Sequence, residues 1–120
     1  MNKQLVQKLL NCEITWKNVC SLENCNSYLI ELNDNTIFNI TPENVIKAIQ
    51  ACLNNDYSMK DLIDWANVVR FSEIFLFNGA YSDCIISILD RIEESDEEGN
   101  ELSNNDLSMM IDKLINNKEW

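Results

Sequence analysis

The sequence predicts a mainly α (α+β) single domain over residues 1–120: a helical bundle of about five helices with a small N-terminal β-hairpin. Three observations carry this. Apolar residues recur at helical spacing in five stretches, several opened by a capping residue. One Pro and two Gly are too few for the many tight turns of an all-β sandwich or barrel. One stretch, residues 28–40, alternates in the manner of paired strands.

The first helix is expected at residues 2–11, where Leu5, Val6, Leu9 and Leu10 share a face. Residues 12–27 read as irregular, anchored by Trp16, Val19 and Leu22. The hairpin is expected at about 28–40, turning at Asn33-Asp34-Asn35, residue types that tolerate positive φ. A two-residue loop would set Ile30 opposite Asn39. A three-residue loop pairs Ile30 with Phe38 and Tyr28 with Ile40 on one face, and is preferred because it gives an apolar side. An isolated hairpin is marginal in water, so this one must pack on helices.

Thr41-Pro42-Glu43 supplies a hydroxyl N-cap, a proline at the first helical position and an acid in the first turn. It opens a helix at 42–54 with Val45, Ile46, Ile49, Cys52 and Leu53 inward. Ser58, with Asp61 three residues on, opens the next at 59–70, whose apolar positions include Leu62, Ile63, Trp65, Ala66 and Val69. The short connection predicts an antiparallel pair. Residues 71–81 fit either a buried helical turn or a short strand, with Phe71, Phe75, Phe77 and Tyr81 read as core. Ser82 starts a helix at 82–94 with Ile85, Ile88, Leu89 and Ile92 inward. Glu93 to Asn100 is a solvated acidic loop, and Ser103 with Asp106 caps a last helix at 104–117.

Composition narrows the function. The net charge is −11, which repels nucleic-acid phosphates and anionic membrane surfaces. No apolar run approaches membrane-spanning length, and the N-terminal residues lack the pattern of a secretory signal. Residues 61–120 hold four basic and fourteen acidic residues, a net of −10, so a basic partner should meet that half. Histidine is absent, which removes Ser-His and Cys-His nucleophile pairs, the commonest general base and most zinc chemistry. Five cysteines at unrelated spacings read as reduced cytosolic thiols packed as small hydrophobes. Catalytic residues, metal ligands and cofactors are therefore expected to be none.

Two groups of carboxylates need weighing. Asp83, Ser87, Asp90, Glu94 and Glu97 fall at spacings of four, three, four and three, one stripe if the helix continues. The ordinary reading is the wet face of an amphipathic helix. The functional reading is a docking surface for a basic partner, with Asp83, Asp90, Glu94 and Glu97 supported by Asp96 and Glu98. It draws on the lack of a neutralising Lys at i+4, since unpaired like charges cost a few tenths of a kcal/mol per pair. Counting from Glu94 also gives acids at positions 1, 3 and 5 of a calcium-loop outline, with Gly99 at position 6. Position 12 is Asn105, which cannot supply a bidentate carboxylate, so the loop reads as solvated linker. Asp61 and Asp64 form a second acidic patch, in which capping accounts for Asp61. Cys20 and Cys25 have four residues between them and no further ligands at matching spacing for zinc.

The stretch TPENVIKAIQACLNNDYSMKDLIDWANVVRF, residues 41–71, covers about a quarter of the chain. Its Thr41 to Val45, Ser58 to Leu62 and Trp65-Ala66 match a pattern in which T-P-E-[D/N]-V, a polar turn, S-x-x-[D/E]-L and W-A follow one another. In this it resembles small immunity proteins of bacterial toxin systems, including contact-dependent growth inhibition. The resemblance implies a cytoplasmic protein without shared catalytic residues, which binds one cognate toxin domain, often a nuclease, and neutralises it by stoichiometric occlusion. An acidic adaptor or regulatory protein-interaction module is the alternative reading.

Overall fold

The computed structural model describes residues 1–25 and 27–120. The described residues form α1 (Lys3–Leu10), α2 (Trp16–Glu23), β1 (Phe38–Asn39), α3 (Pro42–Leu53), α4 (Met59–Phe71), β2 (Phe75–Leu76), α5 (Ser82–Glu94) and α6 (Asn104–Ile115). The mainly α expectation holds, with a small two-stranded sheet beside the helices. The Cα radius of gyration is 13.6 Å. One compact body of this length should measure roughly 2.2·N^0.38 Å, or about 14 Å. No helix of the described residues is long and apolar enough to cross a membrane.

Local chemistry accounts for most helix starts. Thr41, Ser58 and Ser103 each accept a hydrogen bond from the backbone N–H three residues on, closing capping boxes with Asn44, Asp61 and Asp106. Such boxes satisfy donors that a helix N-terminus would otherwise leave unpaired. At α6 the Asp106 carboxylate accepts from the Ser103 N–H at 2.9 Å, and that bond holds its pKa below the ordinary value. A depressed folded pKa means the stabilisation is full above about pH 4 and is lost as pH falls through the folded value. Asp106→Asn should therefore lower the urea midpoint at pH 7, and that deficit should shrink in acid. An equal deficit at pH 7 and pH 3 would deny the box its charge dependence.

Helix α4 is the central element. Every residue from Leu62 to Val69 is buried, and the helix packs against α2, α3 and α5. Helix α6 closes the other side against α3 and α5 through Leu107, Met110 and Leu114. Trp65 is fully buried, and its indole N–H donates to the Leu9 carbonyl at 2.9 Å, tying α4 to the end of α1.

Two sequence expectations are corrected. Residues 16–23, expected to be irregular, form α2, which opens on Thr15 as N-cap and ends on Asn24 in the left-handed conformation. Asn26, also in the stretch expected to be irregular, lies outside the described residues. Trp16 and Val19 are buried as expected, whereas Leu22 is 68% exposed. Phe71 and Tyr81 are likewise exposed rather than core, while Phe75 is buried.

The second correction is the hairpin at 28–40, which does not form. The β1 strand pairs in parallel with β2, Phe38 opposite Phe75 and Asn39 opposite Leu76. The reason lies in where the backbone groups go. The Phe38 N–H donates to the Ile74 carbonyl at 2.8 Å and the Ile40 N–H to Leu76 at 2.9 Å. The other expected arm docks on the same segment: the Ile30 N–H donates to Ser72 Oγ at 2.9 Å, and that hydroxyl donates to the Tyr28 carbonyl at 3.2 Å. The α3–α4 crossover makes the parallel pairing possible, since parallel strands need a connection of about a dozen residues or more. The rings of Phe38 and Phe75 then meet at 6.0 Å. At the expected turn, Asp34 instead accepts from the Thr36 N–H and pairs with Lys3 at 3.3 Å.

Ser72 thus does the work of a strand at that point. Ser72→Ala should leave the buried Ile30 N–H without a partner, at about 1–3 kcal/mol. A urea titration reads this directly, and an unchanged midpoint would mean Ile30 bonds elsewhere.

Candidate functional site

The acidic surface is built from the end of α5 and the turns after it. Helix α5 stops at Glu94, so the expected stripe does not run on to Glu97 as one helix face. Successive N–H groups of Ser95, Asp96 and Glu97 donate to carbonyls three residues back, and the chain reverses at Gly99, where φ is +90°. Arg91 Nη1 donates to the Asn100 carbonyl at 2.9 Å and closes the loop onto the helix. The Ser95 hydroxyl donates to the Ile92 carbonyl from a buried position. Glu101 accepts from the Gly99 N–H at 3.3 Å, and backbone N–H groups, its own first, hold its carboxyl below the usual range.

This scaffold leaves Glu94, Asp96, Glu97 and Glu98 exposed together. Among the described residues, no salt bridge reaches any of the four. The other two expected members are elsewhere. Asp83 is exposed in the first turn of α5, where the helix dipole favours an acid. From Asp83 to Glu94 is about 16 Å along the helix. Asp90 is not an unpaired charge as its spacing suggested: Arg70 Nε from α4 donates to Asp90 Oδ1 at 2.9 Å. Twenty residues separate the two, so local spacing could not show the pair. The structure therefore brings together four of the six expected contact residues and assigns Asp90 to the α4–α5 packing. The calcium-loop outline gathers nothing further. Among the described residues, no three His, Cys, Asp or Glu side chains are grouped as metal ligands would be.

A second feature was not read from the sequence. A cavity of about 300 Å³ is lined by Trp16, Lys17 and Cys20 of α2, by Cys25, Ser27 and Tyr28 of the segment after it, and by Lys60 and Asp64 of α4. Only 10% of the Asp64 side chain is exposed. It accepts from Lys60 Nζ at 2.7 Å and from the Tyr28 hydroxyl at 3.0 Å. Lys60 Nζ also reaches Tyr28 Oη at 3.3 Å. The Asp64 carboxylate is the main cause that raises the Lys60 pKa above its ordinary value. A buried carboxylate is tolerated when paired in this way. Asp61 and Asp64 consequently form no acidic pair, one closing a capping box and the other an internal ion pair. The i,i+4 spacing of Lys60 and Asp64 was the available signal, while Tyr28 lies 36 residues away in sequence.

The chain matches no protein-family model, no curated protein and no solved structure. The residues that carry the immunity-protein resemblance can be placed directly. Thr41, Asn44, Ser58 and Asp61 are caps, and Val45, Leu62, Trp65 and Ala66 are buried core. They account for how α3 and α4 are built, and none of them lies in the acidic loop.

Proposed function

We propose that this chain is a stoichiometric inhibitor of immunity-protein type, which binds a basic toxin domain, of nuclease kind, and occludes it. The observation that supports the reading is the group Glu94, Asp96, Glu97 and Glu98: four exposed carboxylates outside any salt bridge among the described residues, on a loop bonded back to its own helix. Like charges held close cost stability in the free protein and gain when a cationic surface meets them. A pre-bonded loop also lowers the ordering cost of association. The net charge of −11 would steer a basic partner over distance before the loop makes contact. A nuclease domain suits such a surface because its own substrate is a polyanion, so the carboxylates compete where phosphates would lie. The motif of residues 41–71 supports the same reading through its resemblance to immunity proteins.

The test is capture from a lysate of the native host on the immobilised chain, beside a variant carrying Asp96→Lys, Glu97→Lys and Glu98→Lys. The expected result is one basic protein retained in equimolar amount by the wild type, released by high salt and not retained by the variant. The retained protein should have an activity that added chain abolishes at one equivalent. Capture of a partner whose activity the chain leaves untouched would favour the adaptor reading instead.

A further inference from the structure

We propose that Cys20 and Cys25 form a reversible dithiol–disulfide site, which takes a small-molecule disulfide of the glutathione type as its oxidant. All five cysteines are free thiols, but their surroundings differ. Cys12 Sγ lies 3.9 Å from the Leu10 carbonyl, Cys52 Sγ 3.7 Å from Met59 Sδ, and Cys84 Sγ 3.1 Å from the Lys118 carbonyl. Cys20 instead has the Cys25 thiol as its side-chain partner, and both line the cavity beside Asp64.

The backbone explains the meeting. Asn24 ends α2 at φ +53° and ψ +42°, the left-handed conformation that turns a chain back across its own last turn. In helix ends of this kind, the residue after the left-handed one contacts the residue four before it in the helix. Those two positions are Cys25 and Cys20. The turn brings their side chains to the same side without any change in the helix.

The chemistry is ordinary exchange. One protein thiol loses its proton and attacks a sulfur of the small disulfide, releasing one small thiolate. The second protein thiol, deprotonated, attacks the mixed disulfide at the protein sulfur and releases the other small thiolate. The protein loses two electrons, the small disulfide gains them, and the two protons end on the two released thiols. Burial first, and then the neighbouring Cys25, push the Cys20 thiol up to about 11. Exchange needs the thiolate, so it is slow near neutrality and the mixtures must be brought to equilibrium.

The test equilibrates the whole chain in glutathione buffers of graded disulfide-to-thiol ratio, blocks free thiols by alkylation, digests with trypsin and weighs the peptides. Cleavage after Lys17 and Lys47 releases residues 18–47, which contain Cys20 and Cys25 and no other cysteine. The expected product is this peptide short of two hydrogen atoms and carrying no alkyl group, with Cys12, Cys52 and Cys84 alkylated in their own peptides. A second series in concentrated urea separates the fold from mere proximity in sequence. There, half-oxidation should need a disulfide excess about tenfold greater, a shift of about 30 mV. The proposal is overturned if the peptide carries two alkyl groups or separate glutathione adducts at every ratio. It is equally overturned if folded and unfolded chains oxidise at the same ratio.

Discussion

Trp65→Ala should remove about 3–5 kcal/mol of stability, the range for deleting a large aromatic from a packed core. A domain of this kind has about 5–15 kcal/mol in total, so the variant is expected to be marginally folded or unfolded. Trp65 is fully buried at the centre of α4, the helix that α2, α3 and α5 all pack against. Its indole N–H also satisfies the Leu9 carbonyl at the end of α1. Two terms therefore add, an unfilled cavity and a lost hydrogen bond between helices distant in sequence. Trp65→Phe keeps much of the ring and loses only the second term in full, so its loss should be clearly smaller. Urea titrations of the three proteins decide the matter. Equal midpoints for wild type and Trp65→Ala would move Trp65 out of the core.

The elements legible in the sequence were those specified within a few residues of themselves. Ser58 and Asp61, or Ser103 and Asp106, meet across one helical turn, so spacing alone places α4 and α6. Helix α2 was missed because its buried stripe is short, with Trp16 and Val19 inward and Leu22 exposed. The Thr15 hydroxyl that caps it, accepting from the Asn18 N–H at 3.1 Å, was the overlooked signal. At residues 28–40 the pattern gave the right inward side chains and the wrong partner. Ile30 and Ile40 are buried, and Tyr28 and Phe38 half-buried, as the preferred register required. Alternation determines which side chains face inward but not which strand lies alongside. The competing strand, Phe75–Leu76, stands beyond two helices, and the pairing with it depends on Ser72, which no local pattern marks.

The candidate site divides along the same line. Its acidity is a matter of composition, with −10 of the −11 net charge carried after residue 60. Its shape depends on contacts between residues far enough apart to escape periodicity. The Arg91 bond to Asn100 folds the loop back, and the Arg70 bond to Asp90 withdraws one carboxylate from the surface. Electrostatics thus indicated the half of the chain, and tertiary contacts narrowed it to Glu94, Asp96, Glu97 and Glu98.

Reversing charge at Asp96, Glu97 and Glu98 to Lys should slow association with a basic partner by about 10- to 1,000-fold at low salt. Each reversal adds two charges, so the net charge rises from −11 to −5, all of the change in one loop. The three side chains are exposed and outside any salt bridge among the described residues, so the fold should tolerate the change. Asp83→Lys is the informative comparison. It sits about 16 Å from Glu94 along α5, beyond the Debye length of about 10 Å at 0.1 M salt. Its effect on the association rate should therefore be much the smaller. Asp90→Lys is unsuitable, because it sets two cations together where Arg70 now has its partner. Dissociation separates two modes of contact. If the loop only steers, its rate should barely change. If the carboxylates are buried against Arg or Lys of the partner, dissociation should accelerate as well, by about 2–5 kcal/mol per broken pair. Raising salt to 1 M, where the Debye length is about 3 Å, should erase most of the difference in association and leave any difference in dissociation. Surface-immobilised kinetics across a salt series measures both rates. Equal association of wild type and triple variant at low salt would remove the loop from the interface and turn attention to the exposed sheet face at Ile37 and Leu76.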